Sequence, residues 1–291
     1  MSRRFVYYGA GRSADELLLD LYPAVSGYSL RKLRALQQHC ITVRRGSDNA
    51  ELDIGFSGLS IDTSQLLNFV GSSDGFVARI FNQGVGGAQY DAVQTTLSFQ
   101  PKIVDGGVVK ITNGLPSIQF SGSQFLELDN LASDNSETQL TGKTSFIVAK
   151  IDDASVDGVA FGFGNDFENT TFQNYSRTNN VARIAFRSNN PQTTLFASGV
   201  NVTTNQHLIT ARVFIDGNDN LSFYYNGNFI NQFNQNLGEF ILNKGAIGCM
   251  VRQNLTFFWN GSIQEIIFFD DDVLSNIPDI NTNIIDYYDI N

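Results

Sequence analysis

The sequence predicts an all-β sandwich, and three observations carry that expectation. With 24 Phe, 10 Tyr and 26 Gly but only 2 Met, strand and turn formers dominate the composition, and aromatic side chains suit a pleated, half-buried surface better than a helix. From about residue 100 the chain becomes a series of short β-patterned runs separated by Gly, Asn and Asp, as a two-sheet domain requires. A chain of 291 residues buries enough surface to need no disulfide framework.

Residues 1–25 mix Gly and Arg with an apolar patch (Leu17, Leu18, Leu19, Leu21) and end at Tyr22-Pro23; they read as an N-terminal anchoring arm that attaches to something else. Residues 26–105 read as a leading module with short helices, packed on a sandwich formed by residues 106–291. In that module Leu30, Leu33 and Leu36 fall near helical spacing between basic residues, which predicts a short amphipathic helix. Cys40 to Arg45 alternates like a strand. Asp62 to Val70 predicts a second helix, with Asp62 or Thr63 accepting from the free first-turn amides and Gly71 ending it.

The predicted strands of the sandwich are Ser117 to Phe120, Phe125 to Leu128, Ser145 to Ile151, Val159 to Phe163, Ala182 to Phe186, His207 to Ile215, Leu221 to Tyr225, Ala246 to Val251 and Ser262 to Phe269. Asp216 to Asn220 reads as a hairpin turn. It is not a calcium loop, because Leu221 and Gly227 stand where such a loop needs Gly and Glu. Leu274 to Tyr288 suits a terminal helix with Asp270, Asp271 and Asp272 near its amino end, interrupted early by Pro278.

The net charge of −10 hides an asymmetry: residues 1–45 hold eight Lys/Arg against three Asp/Glu, and the remainder eleven against twenty-six. An acidic body repels phosphates and anionic lipids, so neither nucleic acid nor membrane insertion is expected. The basic leader (Arg3, Arg4, Arg12, Arg31, Lys32, Arg34, Arg44, Arg45) would dock on an acidic protein surface or simply be a solvated face with local ion pairs. Cys40 and Cys249 lie far apart, and Met-Ser-Arg-Arg-Phe is not followed by a signal-length apolar run. Cytoplasmic synthesis and two free, buried thiols are therefore expected. With His39 and His207 as the only histidines, there is little material for a zinc cluster or a Ser-His-Asp centre. Gly84 to Gly87 lacks a phosphate-loop Lys. No metal or other cofactor is expected.

Tyr28 to Arg34, Ile41 to Phe56, Asp74-Gly-Phe76 and Gln100 to Val104 together resemble a module of phage structural and tail proteins. More distantly they resemble the catalytic domain of the family 54 α-L-arabinofuranosidases, whose fold is a concanavalin-like jelly roll. Gly114 to Phe120, Tyr225-Asn-Gly227 and Gly261 to Phe268 are similar to recurrent strands of laminin-G-like lectin domains. The fold these resemblances imply is a concanavalin-like jelly-roll β-sandwich.

A retaining glycosidase uses two carboxylates, one as nucleophile and one as acid/base. Anchored on Phe161-Gly-Phe-Gly-Asn165, the enzymes' vicinal cysteines fall on Val159 and Ala160, and the nucleophilic Glu at or near Arg183. The acid/base Asp falls around Arg252, Gln253 or Asn254, and a Tyr-Asp-Gln-Ser-Gly-Asn-Gly signature survives only as Phe81 to Gly87. No Asp or Glu lies between Glu168 and Asp216 or between Glu239 and Glu265. Glu265, on a β-run, reads as a structural, paired carboxylate.

The resemblance therefore implies a non-enzymatic bacteriophage virion protein (fibre, spike or decoration subunit), homo-oligomeric, associated with capsid or tail proteins and binding host-surface polysaccharide. The alternatives are a purely architectural virion protein and, third, an arabinofuranosidase-like hydrolase with relocated carboxylates. The candidate glycan or partner contacts are Phe257, Phe258, Trp259 and Asn260, with Tyr224, Tyr225 and Asn226, because rings stack on sugar faces and amides meet hydroxyls. Three consecutive aromatics cannot all face inward on a strand, so Trp259, beside the Asn260-Gly261 turn pair, is expected to face outward; the alternative is packing against the core or a neighbouring subunit.

Overall fold

Along Lys143–Ile151, Phe146 and Val148 alternate with Ile147, Ala149 and Ile151, and all are buried. A strand apolar on both faces needs a layer on each side. The computed structural model describes residues 16–137, 141–153, 155–167, 171–178, 181–187, 194–201, 203–216, 218–234 and 241–290, and it supplies both layers. Lys143–Ile151 pairs antiparallel with His207–Asp216 and with Asn260–Phe269. Beyond these, His207–Asp216 continues into Asn218–Tyr225 and Asn228–Asn234, while Asn260–Phe269 pairs with Ser26–Ser29 and Ile118–Ser121.

The inner face of this first sheet meets a second one in which Leu126–Glu127, Lys244–Ile247, Gly158–Gly164, Thr171–Thr178, Val181–Arg187 and Thr194–Asn201 are paired in that order. Phe268 from the first sheet packs edge-on against Phe161 and Phe163 of the second, at 6.0 and 5.2 Å between ring centroids. Each such buried ring contributes roughly 1.5–3 kcal/mol by leaving water. The outer face of the first sheet is covered by the terminal helix Ile277–Tyr288, whose Ile277, Ile280, Ile284 and Tyr288 meet Phe146, Val148, Leu208 and Ile267. The chain is an all-β, concanavalin-like jelly-roll sandwich with a few short helices.

The strands His39–Arg45, Glu51–Ser57, Gly75–Ile80 and Lys102–Asp105 form one continuous antiparallel ladder. Ala92–Val93 ties that ladder to the second sheet through Glu127, and Lys102 opposite Gln119 ties it to the first. The predicted helix forms over Thr63–Val70, with Asp62 accepting from the Gln65 amide and Gly71 closing it at φ 62°. Cys40 and Cys249 are free and buried.

Several expectations change. The Leu30–Leu36 segment is not a helix: the Lys32 amide donates to Leu59 O and the Leu33 amide to Gln83 Oε1, so tertiary partners take the groups a helix would pair. Leu30 and Leu33 are buried but Leu36 is 84% exposed. Leu18 and Leu19 pack under the first sheet; residues 1–15 of the expected arm lie outside the described residues. Arg31 and Arg44 are not solvated leader charges but buried. Pro278 sits in the first turn of its helix and does not interrupt it. The strands Thr171–Thr178 and Asn228–Asn234 were not apparent from hydrophobic alternation, because Asn, Gln and Thr occupy many of their positions. Among the described residues no helix is long and apolar enough to cross a membrane.

Candidate functional site

The loop that carries the predicted aromatics is closed by reciprocal backbone hydrogen bonds between Met250 and Thr256, 2.8 and 3.1 Å. Beyond it Phe257 adopts φ 50°, a left-handed conformation uncommon for a bulky residue. That turn separates the three rings. Phe257 stays exposed at 45%, Phe258 is half-buried against Phe125 at 6.2 Å, and Trp259 is driven inward to 1% exposure. Trp259 packs edge-on to Tyr175 at 5.1 Å. The expectation that it faces outward is thereby corrected: the backbone reversal at Phe257 spends the outward-facing position on Phe257 itself. Asn260, half-buried, begins the long strand Asn260–Phe269, and its carbonyl accepts from the Asp152 amide.

The same loop forms one wall of a cleft of about 230 Å³ lined by Phe125, Glu127, Asp129, Asp166, Lys244, Gly245, Val251, Arg252, Gln253 and Leu255. Its far wall is built from the ends of neighbouring strands. Glu127 lies opposite Ala246 across one ladder and Lys244 opposite Gly164 across the next. Asp166 follows where Gly158–Gly164 ends. Asn243 Nδ2 donates to Asp166 Oδ1 at 2.6 Å, fixing that turn. Gln253 Nε2 reaches across to donate to the carbonyl of Phe167 at 3.2 Å, and Phe167 is 78% exposed beside the cleft.

Charge is arranged unevenly around this space. Asp129 accepts from Lys244 Nζ at 2.6 Å and from the Gly245 amide at 3.2 Å; that hydrogen bond holds the Lys244 pKa above its ordinary value. Glu127 makes no side-chain hydrogen bond among the described residues, and burial together with neighbouring Asp129 raises its pKa. Arg252 has its pKa lowered, first by burial and then by nearby Arg187. The arrangement offers acceptors, donors and an apolar backing of Phe125, Val251 and Leu255, which suits a ligand with hydroxyls on its edge and an apolar face.

The remaining predicted contacts lie elsewhere. Tyr224, Tyr225 and Asn226 end the strand Asn218–Tyr225 of the other sheet. Tyr225 stacks on buried His207 at 5.6 Å and Tyr224 meets Phe229. Asn226, at φ 47°, accepts from the Leu208 amide through Oδ1, so it serves its own turn. Of the positions aligned with hydrolase acids, Arg252 and Gln253 do line the cleft. Its carboxylates come instead from Glu127, Asp129 and Asp166, which sequence reading missed because they lie in other segments. The turn-forming Asn165-Asp166 followed by Phe167, just past a strand end, was the available signal. Val159 and Ala160 are buried within their strand. Asn82 and Gln83, from the Phe81–Gly87 segment, are buried and bind backbone groups of residues 25–33. Glu265 is also buried, against Arg31.

No family model matches the chain, and no curated protein matches it either. Among solved structures, it is similar to an arabinofuranosidase complexed with arabinofuranosyl-α-1,2-xylobiose, with TM-score 0.63 and 11% identity over 93% of this chain. It is similar to a family 54 α-L-arabinofuranosidase soaked with a cyclic sulfate inhibitor, with TM-score 0.64 and 10% identity, again over 93% of this chain. A Ruminococcus gnavus sialidase carbohydrate-binding module of family 40, bound to α2,3-sialyllactose, overlaps 58% of this chain and 95% of its own at TM-score 0.47 and 16% identity. The chain spans 65% of the length of the two arabinofuranosidases. The expectation of a bacteriophage virion protein is corrected by this finding: the likeness that runs through 93% of the chain is to glycoside-acting proteins.

Proposed function

We propose that this chain is a glycan-binding β-sandwich that holds saccharide in the Phe125–Arg252 cleft without hydrolysing it. The observation that carries the reading is the cleft itself: Glu127, Asp129, Asp166, Lys244, Arg252 and Gln253 around an apolar backing, with exposed Phe167 next along the chain from Asp166 and its carbonyl bound by Gln253. Vicinal hydroxyls both donate and accept, so a wall of alternating carboxylates, amide and cations meets them in pairs. The reading draws support from the fold shared with an arabinofuranosidase crystallised with arabinofuranosyl-α-1,2-xylobiose. Absence of turnover follows from the state of the acids. Asp129 is neutralised by Lys244 and Asp166 is held by Asn243, which, among the described residues lining the cleft, leaves Glu127 without a second uncommitted carboxylate to act as nucleophile or base.

A second reading, hydrolysis with Glu127 as proton donor, draws on the raised pKa of that residue. A glycan array with the purified protein, followed by calorimetry on the best ligand, tests the first reading. Phe167→Ala and Gln253→Ala are each expected to weaken binding by about 1 kcal/mol or more. Retention of no glycan, or affinity indifferent to both substitutions, overturns it.

A further inference from the structure

A second cleft, of about 310 Å³, opens on the far side of the first sheet and shares no lining residue with the Phe125–Arg252 cleft. Its wall is made of Thr112, Asn113, Lys150, Thr204, Asn205, Gln206, Asp289 and Ile290. Three separate pieces of chain converge there. Ile111–Thr112 and Leu115–Pro116 form a hairpin whose turn residues, Asn113 and Gly114, have φ 48° and 78°, both in the left-handed region that such tight turns require. Thr112 Oγ1 lies 2.7 Å from Ser262 Oγ, seating the hairpin on the sheet. Asn113 Nδ2 donates to the carbonyls of Tyr288 and Asp289 at 2.8 and 3.2 Å, tying its tip to the end of the terminal helix.

The polar groups are held in fixed orientations. Gln264 Nε2 donates to the carbonyls of Thr112, Leu115 and Pro116, which leaves its Oε1 to accept from Gln206 Nε2. The Gln206 amide is thereby oriented; its Oε1 is buried and has no hydrogen-bond partner among the described residues. Acceptors from the helix end, from Asp289 and from the amides stand beside donors from Lys150, Thr204 and Asn205.

We propose that this cleft is a second binding site, for a neutral saccharide of one or two rings. The volume lies at the lower end of small-ligand sites. An anion is disfavoured by Asp289 and by the negative end of the helix dipole, Lys150 is ion-paired with Asp152 at 3.0 Å, and an apolar ligand would strand the amides. The uncharged amides and hydroxyls of Asn113, Thr204, Asn205 and Gln206 suit a neutral molecule dense in hydroxyls. The proposal takes its ligand class from the glycan-binding reading but stands on different residues, so the two fail separately.

Amide-resolved NMR titration of the full chain with xylobiose, cellobiose and sucrose tests it. Saturable shifts are expected at Asn113, Gly114, Thr204, Asn205 and the Gln206 side chain. Thr204→Trp, at an exposed position, fills the cleft and is expected to weaken those shifts about tenfold or more, leaving shifts at Gly245 and Gln253 and the melting temperature unchanged. Saturable shifts confined to Gly245 and Gln253 support the first cleft alone and overturn the second. Absence of shifts at residues 204–206 with all three sugars, or shifts there that survive Thr204→Trp, overturns it as well.

Discussion

Arg31 closes on Glu265 as a bidentate ion pair in the interior, Nε to Oε2 at 2.6 Å and Nη2 to Oε1 at 2.8 Å. Ser29 Oγ donates to Oε2 at 2.7 Å and Tyr288 Oη lies 3.2 Å from the same oxygen, while the guanidinium sits 4.7 Å from the Tyr287 ring centre. Burial opposes the charge on Arg31, and Glu265 more than offsets it, holding the pKa above its ordinary value. A carboxylate saturated by four contacts from three residues is a tie between the first sheet, the Arg31 segment and the terminal helix, not a proton donor for substrate.

Removing one partner strands the other charge. Glu265→Gln and Arg31→Met are each expected to lower stability by about 3–5 kcal/mol in urea denaturation. The combined Arg31→Met/Glu265→Gln protein is expected to lose less than the sum of the two. Additive losses would show that the two groups act independently.

Trp259→Ala is expected to cost about 3–5 kcal/mol, the range for truncating a large core side chain, because the ring is 1% exposed against Tyr175. Its Nε1 has no hydrogen-bond partner among the described residues, so Trp259→Phe removes an unsatisfied donor and should cost clearly less. Chemical denaturation of both variants checks this; equal losses would mean that the indole N–H contributes.

His207 links folding to pH. Its Nδ1 lies 3.0 Å from the Asn205 carbonyl, which can only accept, so Nδ1 carries the proton and Nε2 accepts from Tyr175 Oη at 2.5 Å. Burial lowers its pKa from 6.5 to about 4. Between these values the unfolded chain binds the proton and the folded one does not, so stability is full above 6.5 and falls as pH drops toward 4. The whole effect is roughly 3 kcal/mol. His207→Gln should flatten the pH 4–7 stability profile; an unchanged slope would place the transition on other groups.

No turnover of an aryl α-L-arabinofuranoside is expected from the purified protein, since Asp129 and Asp166 are engaged by Lys244 and Asn243. Saturable release of the aryl group that disappears in Glu127→Gln would establish the hydrolytic reading instead.

The sequence by itself determined what depends on neighbours along the chain. Aromatic and β-branched runs between Gly, Asn and Asp specified most strands of the sandwich. Asp62 and Gly71 bounded the Thr63–Val70 helix. The distance between Cys40 and Cys249 was consistent with the free thiols observed. Only the tertiary structure decided where long-range partners converge. Leu30, Leu33 and Leu36 have helical spacing, yet Leu59 and Gln83 claim the intervening amides. Phe257, Phe258 and Trp259 are equivalent in composition, yet one left-handed residue sends Trp259 inward. The carboxylates of the candidate cleft come from a strand and the helix that starts two residues after it, and from a loop far along the chain. Local periodicity reports which face of an element is apolar; it carries no information about which distant backbone or side-chain group will meet that face, and cleft chemistry is made at those meetings.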